Sequence, residues 1–456
     1  MQQHLPAERT ESITICSTEI VDVQEDGGGS ATTTKVAFNV LNTILGSGIL
    51  CLPYALHNAG FFFGLAMLCA VALMSQFGLY VLIVTGKRTG TAHFSTVAHA
   101  ALGSFGYRVL NASMILDMVG TVVLYLMLVG DLATSLVKVY FPTTSLTRAT
   151  VILVISTTLV LPQLFFRNTG PLARLSILAV LCLPYIILVV AIRAPLYSDA
   201  KIPKLTFFGP RVLPAIGVLA FTYSSCHAAF PNYLGLKDPS VRSWVRASSS
   251  ATLGASAISI AFALVGFLSF GGSADPNILA NFPASDNHIN FARLLFTISL
   301  LLTTPLGFYP IRDTFTEMFK IDPSRYNVNR SWEVLCTLVV FAFCVAAAAL
   351  CTDLGLAYEL IGTLTCSSIN FVLPALIYLW AGTDISFIGI VRKWRRPDCL
   401  QSAEHVPLLL VESCGKPPAS HIDFRNVLLW AMAWVVVVFG LWIMVLGTYI
   451  TIGFGS

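Results

Sequence analysis

Long stretches without charged residues divide this chain at regular intervals. No Lys, Arg, Asp or Glu lies between residues 36 and 86, which leaves room for two membrane-spanning helices at about 20 residues each. Further uncharged stretches long enough for one helix each occupy 149–166, 175–192, 212–236, 247–274, 294–311, 334–352, 360–383 and 426–456. The segment 109–140 carries charge only at Asp117, Asp131 and Lys138 and predicts one long helix. The pattern therefore predicts eleven transmembrane helices.

Composition supports an all-α polytopic membrane protein. Of the 456 residues, 56% are hydrophobic and 11% are charged, whereas a soluble domain carries roughly 25% charged residues. The sequence shows no basic groove, so a nucleic-acid partner is not expected. The sequence also shows no nucleophile–base pair, metal cluster or phosphate loop, so an enzyme is not expected and no cofactor is predicted beyond a coupling ion.

Charge distribution orients the predicted helices. With the N-terminus in the cytosol, most of the 27 lysines and arginines fall in cytosolic segments, as the positive-inside rule requires. This arrangement predicts a disordered cytosolic tail over 1–35 and a transporter domain over 36–456. Within that domain it predicts a cytosolic loop over 384–424, an eleventh helix over 425–452 and a luminal C-terminus.

Two predicted spans are interrupted near their centres. The first contains Gly46-Ser47-Gly48 followed by Pro53, and the sixth contains Tyr223-Ser224-Ser225-Cys226-His227 followed by Pro231. Glycine and proline weaken a helix. A small-residue packing notch would also explain the glycines of the first span. Interrupted spans at matching places in two five-helix halves predict an inverted-repeat transporter, with repeats over 36–193 and 212–383.

These interruptions also predict what is bound. Free N–H groups after Gly46, Ser47 and Gly48 would favour a carboxylate, while unwound carbonyls of the sixth span would suit an ammonium group. An amino acid carries both groups. Tyr223 and Ser224 are expected to shape the pocket around its side chain.

At these residues the chain resembles the amino acid/auxin permease family, which includes sodium-coupled neutral amino acid transporters and vacuolar amino acid transporters. The resemblance starts at Asn42-Thr43-Ile44-Leu45-Gly46-Ser47-Gly48-Ile49-Leu50 with Pro53-Tyr54. It continues at Cys226-His227 through Ser240 and at Pro305 through Arg312. It implies an eleven-helix LeuT-like fold, with helices 1 and 6 broken and helix 11 added to the two repeats.

The resemblance also implies functional residues. Asn42 matches an ion-site asparagine, and Thr303, or else Thr304, matches the threonine of the eighth helix. Asn42 and Thr303 would hold Na⁺ if the protein is sodium-coupled. The substrate contacts implied for the first helix are Thr43, Ile44, Leu45 and Ser47.

Two features distinguish branches of that family. The loop 271–289 is short and has neither a cysteine nor a glycosylation sequon, which favours the organelle-type branch and counts against Na⁺ coupling. Glu404-His405-Val406-Pro407-Leu408-Leu409 matches an acidic dileucine sorting signal. Both favour a vacuolar or lysosomal membrane over the plasma membrane.

Ionisable side chains within spans are functional candidates, because burial there is costly. His227 at the sixth break could relay a proton or bond to unwound backbone as a neutral side chain. Asp117 is a second coupling candidate. Asp131 is expected to anchor its helix, and Glu359 to lie at the membrane interface.

The sequence thus predicts a secondary transporter of amino acids, with neutral ones favoured by the resemblance, coupled to H⁺ or Na⁺. The alternative is an amino acid sensor that signals through its cytosolic tail. Membrane lipid is an expected partner, and no partner protein is predicted. The particular amino acid, the coupling ion, the direction of flux and the oligomeric state stay open.

Overall fold

A computed structural model describes residues 29–165, 183–197, 203–319, 330–382 and 424–454. Apart from one isolated bridge between Ala31 and Leu236, all regular structure in these ranges is helical. The helices are α1 (Thr33–Ile44), α2 (Leu52–Ala59), α3 (Phe61–Thr89), α4 (Phe94–Tyr140), α5 (Arg148–Leu164), α6 (Leu183–Leu196), α7 (Val212–Thr222), α8 (Ala229–Leu234), α9 (Val241–Phe270), α10 (Asn287–Phe319), α11 (Arg330–Leu350), α12 (Leu354–Ala381) and α13 (Asn426–Gly453).

The first predicted span is broken, as expected. Helix α1 ends at Ile44, and a 3₁₀ turn over Ser47–Cys51 leads into α2. The two parts are bent by 47° with respect to each other. Leu45 and Gly46 have non-helical backbone angles at the break, and the proline at the start of α2 lies where a missing N–H costs least.

The sixth predicted span is broken in the same manner. Helix α7 ends at Thr222, a short 3₁₀ turn covers Cys226–Ala228, and α8 follows directly. The non-helical segment is therefore Tyr223–Ser225, which agrees with the predicted position of the break.

Two long helices differ from simple spans. The predicted helix over 109–140 is confirmed as part of α4, which begins earlier and changes direction at Gly103 (φ 69°, ψ −164°). A positive φ at that position requires glycine or strain. In α12, π-helical turns cover Gly362–Cys366 and Ser368–Val372, and such turns widen a helix locally.

The helices bury a shared apolar core. Helix α10 packs along α4, α1 packs against α9, and the C-terminal part of α12 packs against α3. Among the described residues, five helices (α3, α4, α9, α12 and α13) and the segment Val212–Leu234, which contains α7 and α8, are long and apolar enough to cross a membrane. The bent pair α1–α2 would make a seventh span. The chain is therefore a multi-pass membrane protein, while the count of eleven spans, the two repeats and the domain boundaries stay predictions.

Candidate functional site

A cavity of about 350 Å³ lies where the two broken spans meet. Its volume falls within the range of roughly 300–1,000 Å³ that is typical of small-molecule sites. The residues around it come from the first and sixth spans and from α4, α6 and α10: Asn42, Thr43, Ile44, Leu45, Gly46, Ser47, Gly48, Asp117, Met118, Thr121, Tyr125, Leu183, Phe221, Thr222, Ser224, His227, Phe296, Ser299, Leu300, Thr303 and Gly307.

The break in the first span forms one wall. All the residues predicted there, from Asn42 to Gly48, line the cavity. The Ser47 carbonyl accepts a hydrogen bond from the Tyr358 hydroxyl (3.1 Å), whereas the Ser47 hydroxyl is buried and has no hydrogen-bond partner in the described part of the chain. A Cβ atom on Gly48 would lie 2.8 Å from Thr222 Oγ1, so glycine allows the two broken spans to touch.

The break in the sixth span forms the facing wall through Ser224 and His227. Two polar groups on neighbouring helices hold its backbone. The Ser75 hydroxyl donates to the Tyr223 carbonyl (2.8 Å), and the Asn370 side-chain carbonyl accepts from the Ser225 and Cys226 amides. His227 Nδ1 is buried and has no hydrogen-bond partner among the described residues, which leaves it available to a bound group.

Among the described residues that line the cavity, Asp117 supplies the carboxylate. The residue is 2% exposed, and its Oδ1 accepts from the Thr365 hydroxyl (2.8 Å) and the Cys366 thiol (3.2 Å). Within the described part of the chain no lysine or arginine forms a salt bridge with it. A buried carboxylate without a counter-ion is costly, so this position favours a bound cation.

The structure distinguishes between the two threonines that were predicted as alternatives for the ion site. Asn42 and Thr303 both line the cavity, and the Thr303 hydroxyl donates to the Ser299 carbonyl (2.8 Å). Thr304 is fully buried, and its hydroxyl donates to the Leu300 carbonyl (2.7 Å). Of the two alternatives, the geometry therefore favours Thr303.

Tyr223 does not line the cavity, contrary to the prediction. Its side chain is fully buried, and its hydroxyl bonds to Ser256 on α9 (3.1 Å). Its carbonyl accepts hydrogen bonds from the Ser75 hydroxyl (2.8 Å) and the Ser225 hydroxyl (3.4 Å), so both of its lone pairs are already used. Since the break rotates Ser224 toward the cavity, the neighbouring residue points away from it.

Several lining residues were missed by the sequence reasoning. Phe296, Ser299, Leu300 and Gly307 lie seven, four, three and four positions from Thr303 on α10, and Thr121 lies four positions from Asp117 on α4. Met118 directly follows Asp117, and Tyr125 lies one further turn beyond Thr121. Residues three, four and seven positions apart share one helix face, so this spacing was a usable signal. Leu183, Phe221 and Thr222 carried no comparable pattern.

A second polar cluster lies where α2 ends and α7 begins. Glu359 pairs with Arg211 (2.7 Å) and accepts a hydrogen bond from Tyr54 (3.1 Å). The Glu359 side chain has 0% exposure, so it is buried within the protein. Its expected position at the membrane interface stays a prediction. Asp131 is paired with Arg148 at the start of α5, an anchoring contact.

Some predicted features fall outside the described residues. These are the tail over 1–28 and the dileucine sequence Glu404–Leu409.

Known proteins resemble this chain in sequence and in fold. The profile of a family described as transmembrane amino acid transporter protein matches residues 29–394. A candidate sodium-coupled neutral amino acid transporter of Rattus norvegicus is 28% identical over 79% of this chain and 80% of its own length. Vacuolar amino acid transporter 2 of Saccharomyces cerevisiae is 25% identical over 78% of each chain.

Solved structures resemble this chain in fold. The inward-facing conformation of Mhp1 superposes with a TM-score of 0.55 at 14% identity, over 94% of this chain and 91% of that chain. A Na⁺-coupled sialic acid symporter superposes with a TM-score of 0.53 at 12% identity, over 90% of this chain and 89% of that chain. The predicted likeness to LeuT-type transporters is thus confirmed at the level of the fold.

Proposed function

The chain belongs to the transmembrane amino acid transporter family, and from that premise we propose that it is a secondary active transporter of neutral amino acids. In this proposal it works by alternating access, with H⁺ or Na⁺ as the coupling ion. Its membrane is that of a vacuole or lysosome, and its N-terminus is cytosolic.

The observation that carries the proposal is the meeting of two broken spans at one cavity. Unpaired backbone at mid-membrane depth is tolerated where it faces protein or a water-filled cavity. The unpartnered Ser47 hydroxyl and the start of the 3₁₀ turn at Ser47 suit a carboxylate. Ser224 and Asp117 on the facing walls supply oxygen acceptors for an ammonium group. The cavity therefore offers opposite polarity to the two ends of an amino acid.

The lining supports selection of a neutral side chain. Met118, Leu183 and Phe296 give part of the cavity an apolar wall, on which an uncharged side chain loses little when it leaves water.

Two sets of residues could couple transport to an ion gradient. His227 and Asp117 line the same cavity, and an imidazole nitrogen that has no partner among the described residues can take up and release a proton. Asn42 and Thr303 offer hard oxygen atoms that suit Na⁺. The short loop over 271–289 and the relatives named as vacuolar transporters support the proton-coupled form.

Uptake by purified protein in liposomes tests the proposal. Labelled neutral amino acids are supplied under a pH gradient or a Na⁺ gradient, with His227→Ala and Asn42→Ala as variants. His99→Ala and Asn39→Ala are matched controls, because both residues are exposed and lie outside the cavity.

Proton coupling predicts uptake under the pH gradient that His227→Ala abolishes and His99→Ala retains. Uptake that requires Na⁺ and fails in Asn42→Ala would instead assign the coupling role to Asn42 and Thr303. Binding of an amino acid without flux under either gradient would contradict the transporter proposal. That result would revive the sensor alternative, which the known relatives do not support.

A further inference from the structure

The Asn370 side chain joins α12 to the break in the sixth span. Asn370 is fully buried and makes four hydrogen bonds with its amide group alone. We propose that Asn370 is the positioning residue that holds the sixth-span break in its substrate-binding geometry. The role in substrate binding rests on the proposed function, whereas the hold on the backbone does not.

The break leaves backbone N–H groups that the helix itself does not satisfy. Such groups need another partner when they are buried in a membrane. The Asn370 Oδ1 atom accepts from the Ser225 amide (3.1 Å) and from the Cys226 amide (3.2 Å). One side-chain oxygen therefore replaces the helical acceptors of two consecutive residues.

The other half of the same amide fixes its orientation. Nδ2 donates to the Ser224 hydroxyl (2.9 Å) and to the Cys366 carbonyl (2.9 Å). A carboxylate at this position would lack both donors, and an aliphatic side chain would lack all four bonds. Ser224 lines the cavity and Asn370 does not. Asn370 therefore acts on a bound molecule through its hydrogen bond to Ser224.

The π-helical turns of α12 explain how one helix reaches two parts of the site. The first turn contains Thr365 and Cys366, which both donate to Asp117. The second turn contains Asn370. The Cys366 carbonyl in turn accepts from Asn370, so the hydrogen bonds that orient Asp117 and those that hold the break share a residue.

Helix α3 supports Asn370 from behind. A Cβ atom on Gly78 would lie 2.6 Å from the Asn370 carbonyl and 3.2 Å from the Cys226 sulfur. The Ser75 hydroxyl, one turn earlier, holds the Tyr223 carbonyl. The break is thus fixed between α3 and α12, and movement of α12 would change its shape directly.

Hydrogen exchange of the full-length protein in nanodiscs tests the hold on the backbone. In Asn370→Ala, the Ser225 and Cys226 amides should exchange faster by about tenfold or more, as expected for loss of a buried hydrogen bond. Ser368→Ala is the matched control, because Ser368 lies in the same π-helical turn but bonds to Ser113. Unchanged exchange in Asn370→Ala, or equal acceleration in Ser368→Ala, would overturn the proposal.

Transport kinetics test the consequence for binding. Asn370→Ala should raise KM by about tenfold while Vmax stays within about twofold of wild type, since the position of a binding group is lost and the folded protein remains. A wild-type KM in Asn370→Ala would refute the positioning role in substrate binding.

Asn370→Asp distinguishes positioning from simple loss of structure and replaces Asn370→Ala if that variant does not fold. Protonation of the introduced carboxyl restores a donor, so the ratio of its KM to the wild-type KM should decrease as the pH is lowered. A ratio that is independent of pH would contradict the donor role of the amide. If the wild-type protein transports no amino acid, the proposed function fails, and the exchange experiment still decides whether Asn370 holds the break.

Discussion

The Tyr358 hydroxyl donates a hydrogen bond of 3.1 Å to the backbone carbonyl of Ser47. Tyr358 is fully buried on α12, and Ser47 begins the 3₁₀ turn after the first break. Asn370, further along the same helix, holds the second break. Helix α12 therefore contacts the irregular backbone of both broken spans.

Tyr358→Phe removes that hydrogen bond and keeps the ring. The Ser47 carbonyl then lacks a buried partner, so we expect a loss of about 1–2 kcal/mol in the free energy of unfolding and a KM raised several-fold. Tyr449→Phe is a matched control because Tyr449 is 76% exposed. Uptake kinetics and thermal unfolding measure both effects. Wild-type KM in Tyr358→Phe would show that the contact does not shape the site.

Arg211→Ala tests the buried ion pair where α7 begins. It leaves the Glu359 carboxylate, which has 0% exposure, without its cation, and removal of one partner of a buried pair costs roughly 3–5 kcal/mol. The double variant Arg211→Met with Glu359→Leu should recover most of that stability, because no unpaired charge remains. Thermal unfolding in detergent measures both variants. Equal destabilisation by the single and double variants would contradict the ion-pair interpretation.

Gly78→Ala should displace the Asn370 backbone. The added Cβ would lie 2.6 Å from the Asn370 carbonyl, and overpacking of this kind costs roughly 1–3 kcal/mol. We therefore expect lower stability together with reduced uptake. Gly453→Ala is the control, because a Cβ there meets nothing within 4 Å. A Gly78→Ala protein that transports like wild type would show that α3 does not support the break.

The membrane-spanning helices and their breaks could be predicted from the sequence, because the transfer of side chains from water to lipid and local backbone preferences determine them. Uncharged stretches indicated membrane-spanning helices, and Gly46-Ser47-Gly48 and Ser224–His227 indicated where two of them break. Both breaks lie within a few residues of the predicted positions. Backbone propensity is local, so a single sequence records it.

Side-chain partners could not be predicted in the same manner. The pairing of Glu359 with Arg211 could not be predicted, because Arg211 lies 148 residues away along the chain and no local pattern joins the two residues. Tyr223 was expected in the pocket because the rotation of the break was unknown. Asn370 carried no signal either, since its role depends on the π-helical turns that place it beside the sixth span.

Asp286→Asn tests an ion pair outside the spans, where Arg193 donates to Asp286 (2.7 Å). Burial would raise the pKa of Asp286, but hydrogen bonds from Arg193, Tyr197 and the Ile289 backbone lower the pKa below its ordinary value. Stability from a carboxylate with a lowered pKa is present above the unfolded-state pKa, near 3.9, and is lost only as the pH falls through the folded-state pKa.

The pair should therefore contribute equally at neutral pH and at about pH 5, since both lie above that window. We expect Asp286→Asn to lower Tm by roughly 2–4 °C at each pH, measured by thermal unfolding in detergent. A Tm difference that disappears at about pH 5 would show that Asp286 takes up a proton there and would contradict the lowered pKa.

Counterflow measures the central claim most directly, because exchange through a carrier requires no assumption about the coupling ion. Liposomes that contain the protein are loaded with an unlabelled neutral amino acid and diluted into a trace of the labelled one. The account predicts transient accumulation of label with wild-type protein and none with Gly48→Ala, whose added Cβ would lie 2.8 Å from Thr222 Oγ1. No accumulation of any neutral amino acid by folded wild-type protein would contradict the account.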